Sequence, residues 1–276
     1  MIRLAVRCSP EQAEFVLAEL AVLSPGGVEQ VDREEQVEYA IYGAEGELPE
    51  VGEVEASLGG SRVTLTSSVV GDDWEERWKE FHRPVVVTST SGQSSIWVGP
   101  PWADRPERDS LLIDPGMAFG TGAHPTTRLS LAFLLDLAEK GSANGSLLDL
   151  GSGSGALAIA GAMLGFGPVI AADSEPAAVT ATSANAELNR VSPSVIRLDL
   201  RTDPIPASRT VVANLTGPLL AVLAERLEDG KLPATVACSG FLASEREKVG
   251  DRFRSLGYEV TASTGAEGWA GLLLAA

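Results

Sequence analysis

Cysteine and histidine are scarce: the 276 residues hold two of each, far apart in the chain. Two cysteines build no disulfide framework, and two distant histidines build no metal cluster. A stapled secreted domain and a zinc module are therefore excluded, and no metal site is expected. Long apolar runs are also missing. None approaches the ~18 residues that a membrane-spanning helix requires. The first residues, MIRLAVRCSP, have no basic region followed by an apolar stretch, so no secretory leader and no membrane role are expected. Basic residues are outnumbered, 21 Lys+Arg against 38 Asp+Glu, for a net charge of -17. Non-specific nucleic-acid binders carry basic surface, so direct nucleic-acid contact is not expected. Acidity fits either plain solubility or a basic partner. A hydrophobic fraction of 44% is ordinary for a globular chain, here expected in the cytoplasm as a monomer.

The charge is unevenly spread. Residues 1–70 carry 13 acidic residues against 4 arginines; the rest is closer to balance. Two modules are expected, 1–70 and 89–276, joined by a linker helix over 71–88. In the first, Ile2–Cys8 alternates like a strand. Ser9 and Pro10 open a helix over Glu11–Leu23. Val28–Val31 and Gln36–Tyr42 read as a hairpin pair, Pro49–Leu58 as a short helix and Ser61–Val70 as a last strand. The order strand-helix-strand-strand-helix-strand predicts an α+β, ferredoxin-like sandwich. In GDDWEERWKEFHRP, Trp74, Trp78 and Phe81 or His82 share one helix face, which reads most simply as packing between modules.

From about residue 110, helices alternate with apolar strands. Helices are predicted at Pro125–Glu139, Ala156–Leu164, Pro176–Leu188, Pro218–Leu227 and Glu245–Leu256. Strands fall at Ser146–Leu150, Val169–Ala172, Val195–Leu198, Thr210–Ala213 and Ala234–Cys238. Tyr258–Ala262 and Trp269–Leu274 close the chain as a hairpin turning through Ser263-Thr264-Gly265. The pattern implies a mostly parallel sheet covered on both faces, with one terminal strand antiparallel. Cys8 and Cys238 fall on predicted strands and read as small buried hydrophobes.

The strongest local signal is LLDLGSGSGALAIA. A buried strand ends at Leu150, Gly151, Gly153 and Gly155 follow, and a helix begins at once. Glycine permits positive φ and close approach of a ligand to the backbone. The helix N-terminus adds free N–H groups and partial positive charge. Asp173, 22 positions after Gly151, can accept hydrogen bonds from ribose hydroxyls. Asp149 can support the loop or meet a cationic ligand. S-adenosylmethionine, a nicotinamide dinucleotide and a purely structural turn all fit glycines alone; the acidic pair favours the first. DPGMAFGTGAHPTT is too polar for core and is expected to fold over the cofactor, with Phe119 and Gly120 against it. The Thr126 and Thr127 hydroxyls are placed to reach a bound carboxylate or amine. His124 serves as well for a helix entry. In VVANLTGPL, Asn214 follows a main strand and faces the crevice, either to orient a substrate amine and bind cofactor or simply as a helix cap.

DPGMAFGTGAHPTTRL, LLDLGSGSGALAIA, Asp173, VVANLTGPL and CSGFLASE together resemble the bacterial methyltransferases of ribosomal protein L-eleven (L11). The N-terminal module and DWEERWKEFHRP are similar to that family's recognition domain and linker. The resemblance implies a seven-stranded, Rossmann-like class I methyltransferase sheet with a small N-terminal domain that grips the substrate. It implies transfer of methyl groups from S-adenosylmethionine to lysine side chains and the N-terminal α-amine of that ribosomal protein. It carries cofactor contacts onto Thr127, Gly151, Asp173 and Asn214, with Gly153 in the same turn.

Overall fold

The computed structural model describes residues 2–13, 16–17, 20, 29–32, 36–43, 48–58, 61–69, 82–106, 110–115, 120–228 and 232–276. The described residues divide into two compact units, one within 2–69 and one within 82–115 and 120–276.

The first unit is built on five antiparallel strands: β1 (Ile2–Cys8), β2 (Glu29–Asp32), β3 (Val37–Gly43), β4 (Val54–Leu58) and β5 (Ser61–Val69), in the order β2-β3-β1-β5-β4. Alternation in β1 sends Leu4, Val6 and Cys8 to one face, where they meet Tyr39, Ile41 and Val63 and the helical residues Val16 and Leu20. On β3, Glu38 is almost wholly buried and is neutralised by two arginines of β1, Arg3 Nη2 at 2.8 Å and Arg7 Nε at 2.7 Å. One element departs from the sequence reading: Val54–Leu58 is a strand, not the end of a helix. Leu58 pairs with Ser61 across Gly59-Gly60, a hairpin sequence, and pairing with β5 outweighs weak local helix preference. The expected aromatic linker helix lies, up to Phe81, outside the described residues; its predicted tail is strand β6 (Val85–Thr88).

The second unit begins with a small sheet, β6-β7-β8, where β7 is Ser95–Gly99 and β8 is Ser110–Leu112. The main sheet has seven strands: β9 (Leu147–Leu150), β10 (Val169–Asp173), β11 (Ser194–Arg197), β12 (Thr210–Asn214), β13 (Thr235–Leu242), β14 (Glu259–Ala266) and β15 (Trp269–Ala275). Their order is β11-β10-β9-β12-β13-β15-β14, all parallel except β15. Among the described residues of this unit the α-helices are α1 (Pro125–Glu139), α2 (Ala156–Met163), α3 (Pro176–Leu188), α4 (Gly217–Glu228) and α5 (Arg246–Arg254). Every residue of β9 is buried because apolar clusters cover both faces: Phe133, Ala158 and Ile159 on one, Leu220, Leu223 and Phe253 on the other. Both cysteines are buried, as expected, and burial pushes the Cys238 thiol up to about 12. The terminal hairpin turns at Glu267-Gly268, not at Ser263–Gly265. Both residues have positive φ, 51° and 82°, the geometry that a two-residue turn joining twisted strands requires.

Side-chain ties fix what surrounds this sheet. Asp136 of α1 accepts from the Thr90 N–H at 2.8 Å and the Thr90 hydroxyl at 2.5 Å. Glu139 accepts from Ser91 and Ser94, and the serine hydroxyls of this loop hold its carboxyl down to about 2. Asn189, at the C-cap of α3, grips both backbone groups of Leu112, and Asn185 of α3 takes the Asp114 N–H at 2.9 Å while donating to the Ser154 carbonyl at 2.9 Å. Asn185 thus joins the segment entering the site to the turn after β9. Removing it takes a partner from the buried Ser154 carbonyl and from the Asp114 N–H, at about 1–3 kcal/mol. Asn185→Ala is expected to lower the thermal unfolding midpoint by several degrees, at ~2–4 °C per kcal/mol for a unit of this size. Calorimetry checks this, and an unchanged midpoint would show the tie to be idle.

Candidate active site

Strand order reverses at β9. The chain runs outward from β9 through β10 to β11, then crosses back to place β12 on the other side of β9. Crevices at such switch points, beyond the carboxyl ends of the strands, are where doubly wound sheets bind ligands. The carboxyl ends of β9, β10 and β12 carry Gly151, Asp173 and Asn214, so the structure brings these three expected site residues to one edge.

The turn after β9 needs its glycines. Gly151, Gly153 and Gly155 have φ of 73°, 54° and 83°, where a side chain is strained. A Cβ on Gly151 would also lie 2.6 Å from a Leu215 methyl. The turn bends back so that the N–H groups of Gly151 and Ser152 both bond to the Ala172 carbonyl, at 2.8 and 3.1 Å. Asp173 then fastens it. Its Oδ2 accepts from the Gly153 N–H at 2.9 Å and its Oδ1 from the Glu175 N–H at 3.0 Å. A carboxylate offers about four acceptor positions, so two remain for hydroxyl donors.

Behind the turn sits Asp149, fully buried. Its Oδ2 accepts from the Ala158 N–H at 3.0 Å, capping the first turn of α2, and its Oδ1 has no partner among the described residues. Burial raises its pKa to about 7 despite that hydrogen bond, and the nearby Asp173 charge pushes the same way.

The segment before α1 meets this turn. The Gly120 carbonyl accepts from the Ser154 hydroxyl at 2.7 Å, and Gly120 has φ 97°. Phe119 lies outside the described residues. His124 caps α1, with its ring Nδ1 2.8 Å from the Thr126 hydroxyl and its ring in a T-shaped contact with Trp269. Burial lowers its pKa. The two threonines expected to act alike do not: Thr126 is turned to this cap, whereas Thr127 lies beside Asn214. The Asn214 carboxamide spans two hydroxyls, Nδ2 lying 3.3 Å from Thr127 Oγ1 and Oδ1 3.1 Å from Ser239 Oγ. Neither hydroxyl belongs to α4, so these contacts are not those of a helix cap. Sequence reasoning missed Ser154, Asn185 and Ser239. Asn185 and Asn189, one helical turn apart on an otherwise small-residued helix, were the visible signal for the α3 pair; single serines carry none.

A cleft of about 600 Å³ elsewhere in this unit, lined in part by Leu112, Leu188, Arg105 and Arg190, contains none of the expected site residues. It lies by the C-terminal end of α3, away from Asp173.

A carboxyl with pKa near 7 makes stability depend on pH. The folded chain holds a proton on Asp149 between about pH 4 and 7 that the unfolded chain, near its ordinary 3.8, has released. The fold therefore loses stability as pH rises through that window, by a few kcal/mol at ~1.4 kcal/mol per unit. Asp149→Asn cannot ionise. Its unfolding free energy, measured in denaturant at pH 5 and pH 8, is expected to fall less than that of the wild type; an equal fall would place the titration elsewhere.

The family model described as ribosomal protein L11 methyltransferase (PrmA) matches residues 4–276. The ribosomal protein L11 methyltransferase of Marinomonas sp. (strain MWYL1) is 35% identical over 222 residues, 77% of this chain and 71% of that protein. The protein of the same name from Exiguobacterium sibiricum is 31% identical over 239 residues, 84% and 73%. Among solved structures, the ribosomal protein L11 methylase of Lactobacillus delbrueckii subsp. bulgaricus superposes with a TM-score of 0.56 at 28% identity, over 65% of this chain and 94% of that one. Sequence across nearly the whole chain, seven-stranded sheet and strand-end glycine turn agree: this chain belongs to the ribosomal protein L11 methyltransferase family.

Proposed function

We propose that this chain transfers methyl groups from S-adenosylmethionine to amino groups of ribosomal protein L11, at lysine side chains and the N-terminal α-amine. The observation that carries this reading is the left-handed glycine turn with Asp173 fastened across it, placed beside Asn214 at the switch point. That edge fits the proposed donor. Glycine backbone admits close approach, and the Asp173 carboxylate keeps acceptor positions for ribose hydroxyls and offsets the charge of a cationic ligand. Gly151, Gly153 and Asp173 would hold the adenosine part. Gly120, Thr127 and Asn214 would line the side where the methyl is presented, and Phe119 belongs to the same segment. S-adenosylmethionine supplies an already activated methyl on a sulfonium.

The residues of the chain therefore have to bind, orient and exclude. In-line placement of a nitrogen against the methyl supplies much of the rate. The nitrogen must be neutral. An α-amine with a pKa of about 7.7–8.0 is partly so at pH 7.5, whereas a lysine near 10.4 is not. Taking the amine from water into the crevice disfavours its charged form and helps both. The first unit would grip the substrate, with the segment after it acting as linker. Residues 1–70 carry 13 acidic residues against 4 arginines, which suits a basic ribosomal protein.

The direct test is mass spectrometry of purified L11 after incubation with the chain and labelled S-adenosylmethionine. Label on lysines and the N-terminus is expected. Label on another ribosomal protein alone would keep the chemistry and overturn the substrate. Asp173→Ala is expected to weaken cofactor binding at least tenfold by titration; unchanged affinity would remove Asp173 from the site. The kcat/KM for L11 is expected to fall as salt rises from about 50 to 500 mM, since screening shortens the reach of the acidic field. A flat profile would contradict electrostatic steering.

A further inference from the structure

Strand β13 is apolar around Ser239. Val236, Ala237, Cys238 and Phe241 are almost wholly buried, and so is Ser239. A hydroxyl in such a place requires partners. Three surround it: the Ser130 hydroxyl at 2.7 Å, the Thr126 carbonyl at 2.9 Å and the Asn214 carboxamide at 3.1 Å. The backbone is shaped around this contact. The pairing of β13 with β15 slips between Ser239 and Phe241, and Gly240 at the slip has φ 91°. A Cβ on Gly240 would lie 2.6 Å from the Leu215 carbonyl and 2.8 Å from the Asn214 carboxamide oxygen. Bulges next to a site re-aim side chains. This one lets the backbone of β13 lie directly against Asn214.

The two edges of a carboxamide have nearly the same shape, and hydrogen-bond partners decide which edge faces where. Here protons can be counted. Ser239 has one to give, and the Thr126 carbonyl, which can only accept, lies at 2.9 Å. Ser130, fully buried beside it, has Ser239 as its hydroxyl partner. With the Asn214 oxygen against Ser239, the single Ser239 proton is divided between two acceptors. With the carboxamide turned over, Nδ2 donates to Ser239, Ser239 donates to Thr126, Ser130 donates to Ser239, and Thr127 donates to Oδ1. Every one of these protons then has an acceptor lone pair of its own, Ser239 Oγ accepting two of them.

We propose that the buried pair Ser130 and Ser239 holds the Asn214 carboxamide with its oxygen toward Thr127 and the crevice, so that Asn214 presents an acceptor to the N–H of the incoming amine. This rests on the reading that an amine is the methyl acceptor. An amine whose N–H is bound to Oδ1 has its rotation restricted, and its lone pair is left free for the methyl. Ser239 is a positioning residue: it acts through Asn214 and touches no reacting atom.

Two measurements test this on the full-length chain. The first needs no turnover. The Asn214 side-chain amide signals are assigned in the nitrogen–proton NMR spectrum by their loss in Asn214→Asp. With Nδ2 bound to buried Ser239, at least one of its protons exchanges slowly with solvent, and Ser239→Ala speeds that exchange at least tenfold. Fast exchange in the wild type, unaltered in Ser239→Ala, would overturn the proposal. The second is kinetic. Ser239→Ala is expected to lower kcat for L11 methylation about tenfold, with the titrated S-adenosylmethionine Kd changing less than twofold. Ser130→Ala should act in the same direction and more weakly, and it serves as the second variant should Ser239→Ala fold poorly. In Asn214→Asp, whose two oxygens are equivalent, adding Ser239→Ala should leave kcat where it was. A tenfold rise in cofactor Kd with kcat preserved would assign the carboxamide to the cofactor and overturn the proposal, as would an unchanged kcat. Absence of methyl transfer in the wild type would overturn the functional reading instead, and the exchange result would still decide how the carboxamide faces.

Discussion

Asp173 fastening the Gly153 N–H is the contact on which the rest of the site depends. Three glycines with positive φ within five positions form an open turn whose backbone freedom would not hold one shape unaided. One carboxylate at the end of the neighbouring strand closes it from the front, and Asp149, reaching the Ala158 N–H, anchors the helix that follows. Both carboxyls come from adjacent parallel strands, so the sheet itself sets their spacing. Gly120, Ser154 and Asn185 then tie the segment before α1 to the same turn. The crevice is the product of a backbone that glycine permits and carboxylates restrain.

The same logic separates what the sequence revealed from what it concealed. Helices α1 and α3 were readable to the residue, because each opens on a proline at its first turn and continues at helical spacing. The glycine turn, Asp173 and Asn214 were readable because strand-end chemistry has a fixed place in a doubly wound sheet. Strand β14 was read too short. It alternates between exposed and half-buried residues at the sheet edge, so beyond Ala262 only the small Ala266 is apolar before the turn at Glu267-Gly268. Val54–Leu58 was read as a helix because its partner strand, not its own composition, decides its state.

Hydroxyl groups were the hardest to foresee. Thr126 and Thr127 are neighbours in sequence and looked interchangeable, yet one serves its own helix cap and the other meets Asn214. Ser130 and Ser239 are 109 residues apart, and only the packing of α1 across β13 brings them to 2.7 Å. A serine inside an apolar strand looks like a tolerated substitution until its partners are known. Here its partners are a helix carbonyl, a second buried serine and the carboxamide of the site.

Family membership and fold leave one central claim to be met by direct observation: that the strand-end crevice takes a methyl-sulfonium nucleoside and not another nucleotide. Isothermal titration of the intact chain against S-adenosylmethionine and, separately, NAD addresses it. The account predicts saturable, one-to-one binding of the first and no heat from the second; binding of NAD with none of S-adenosylmethionine would contradict it.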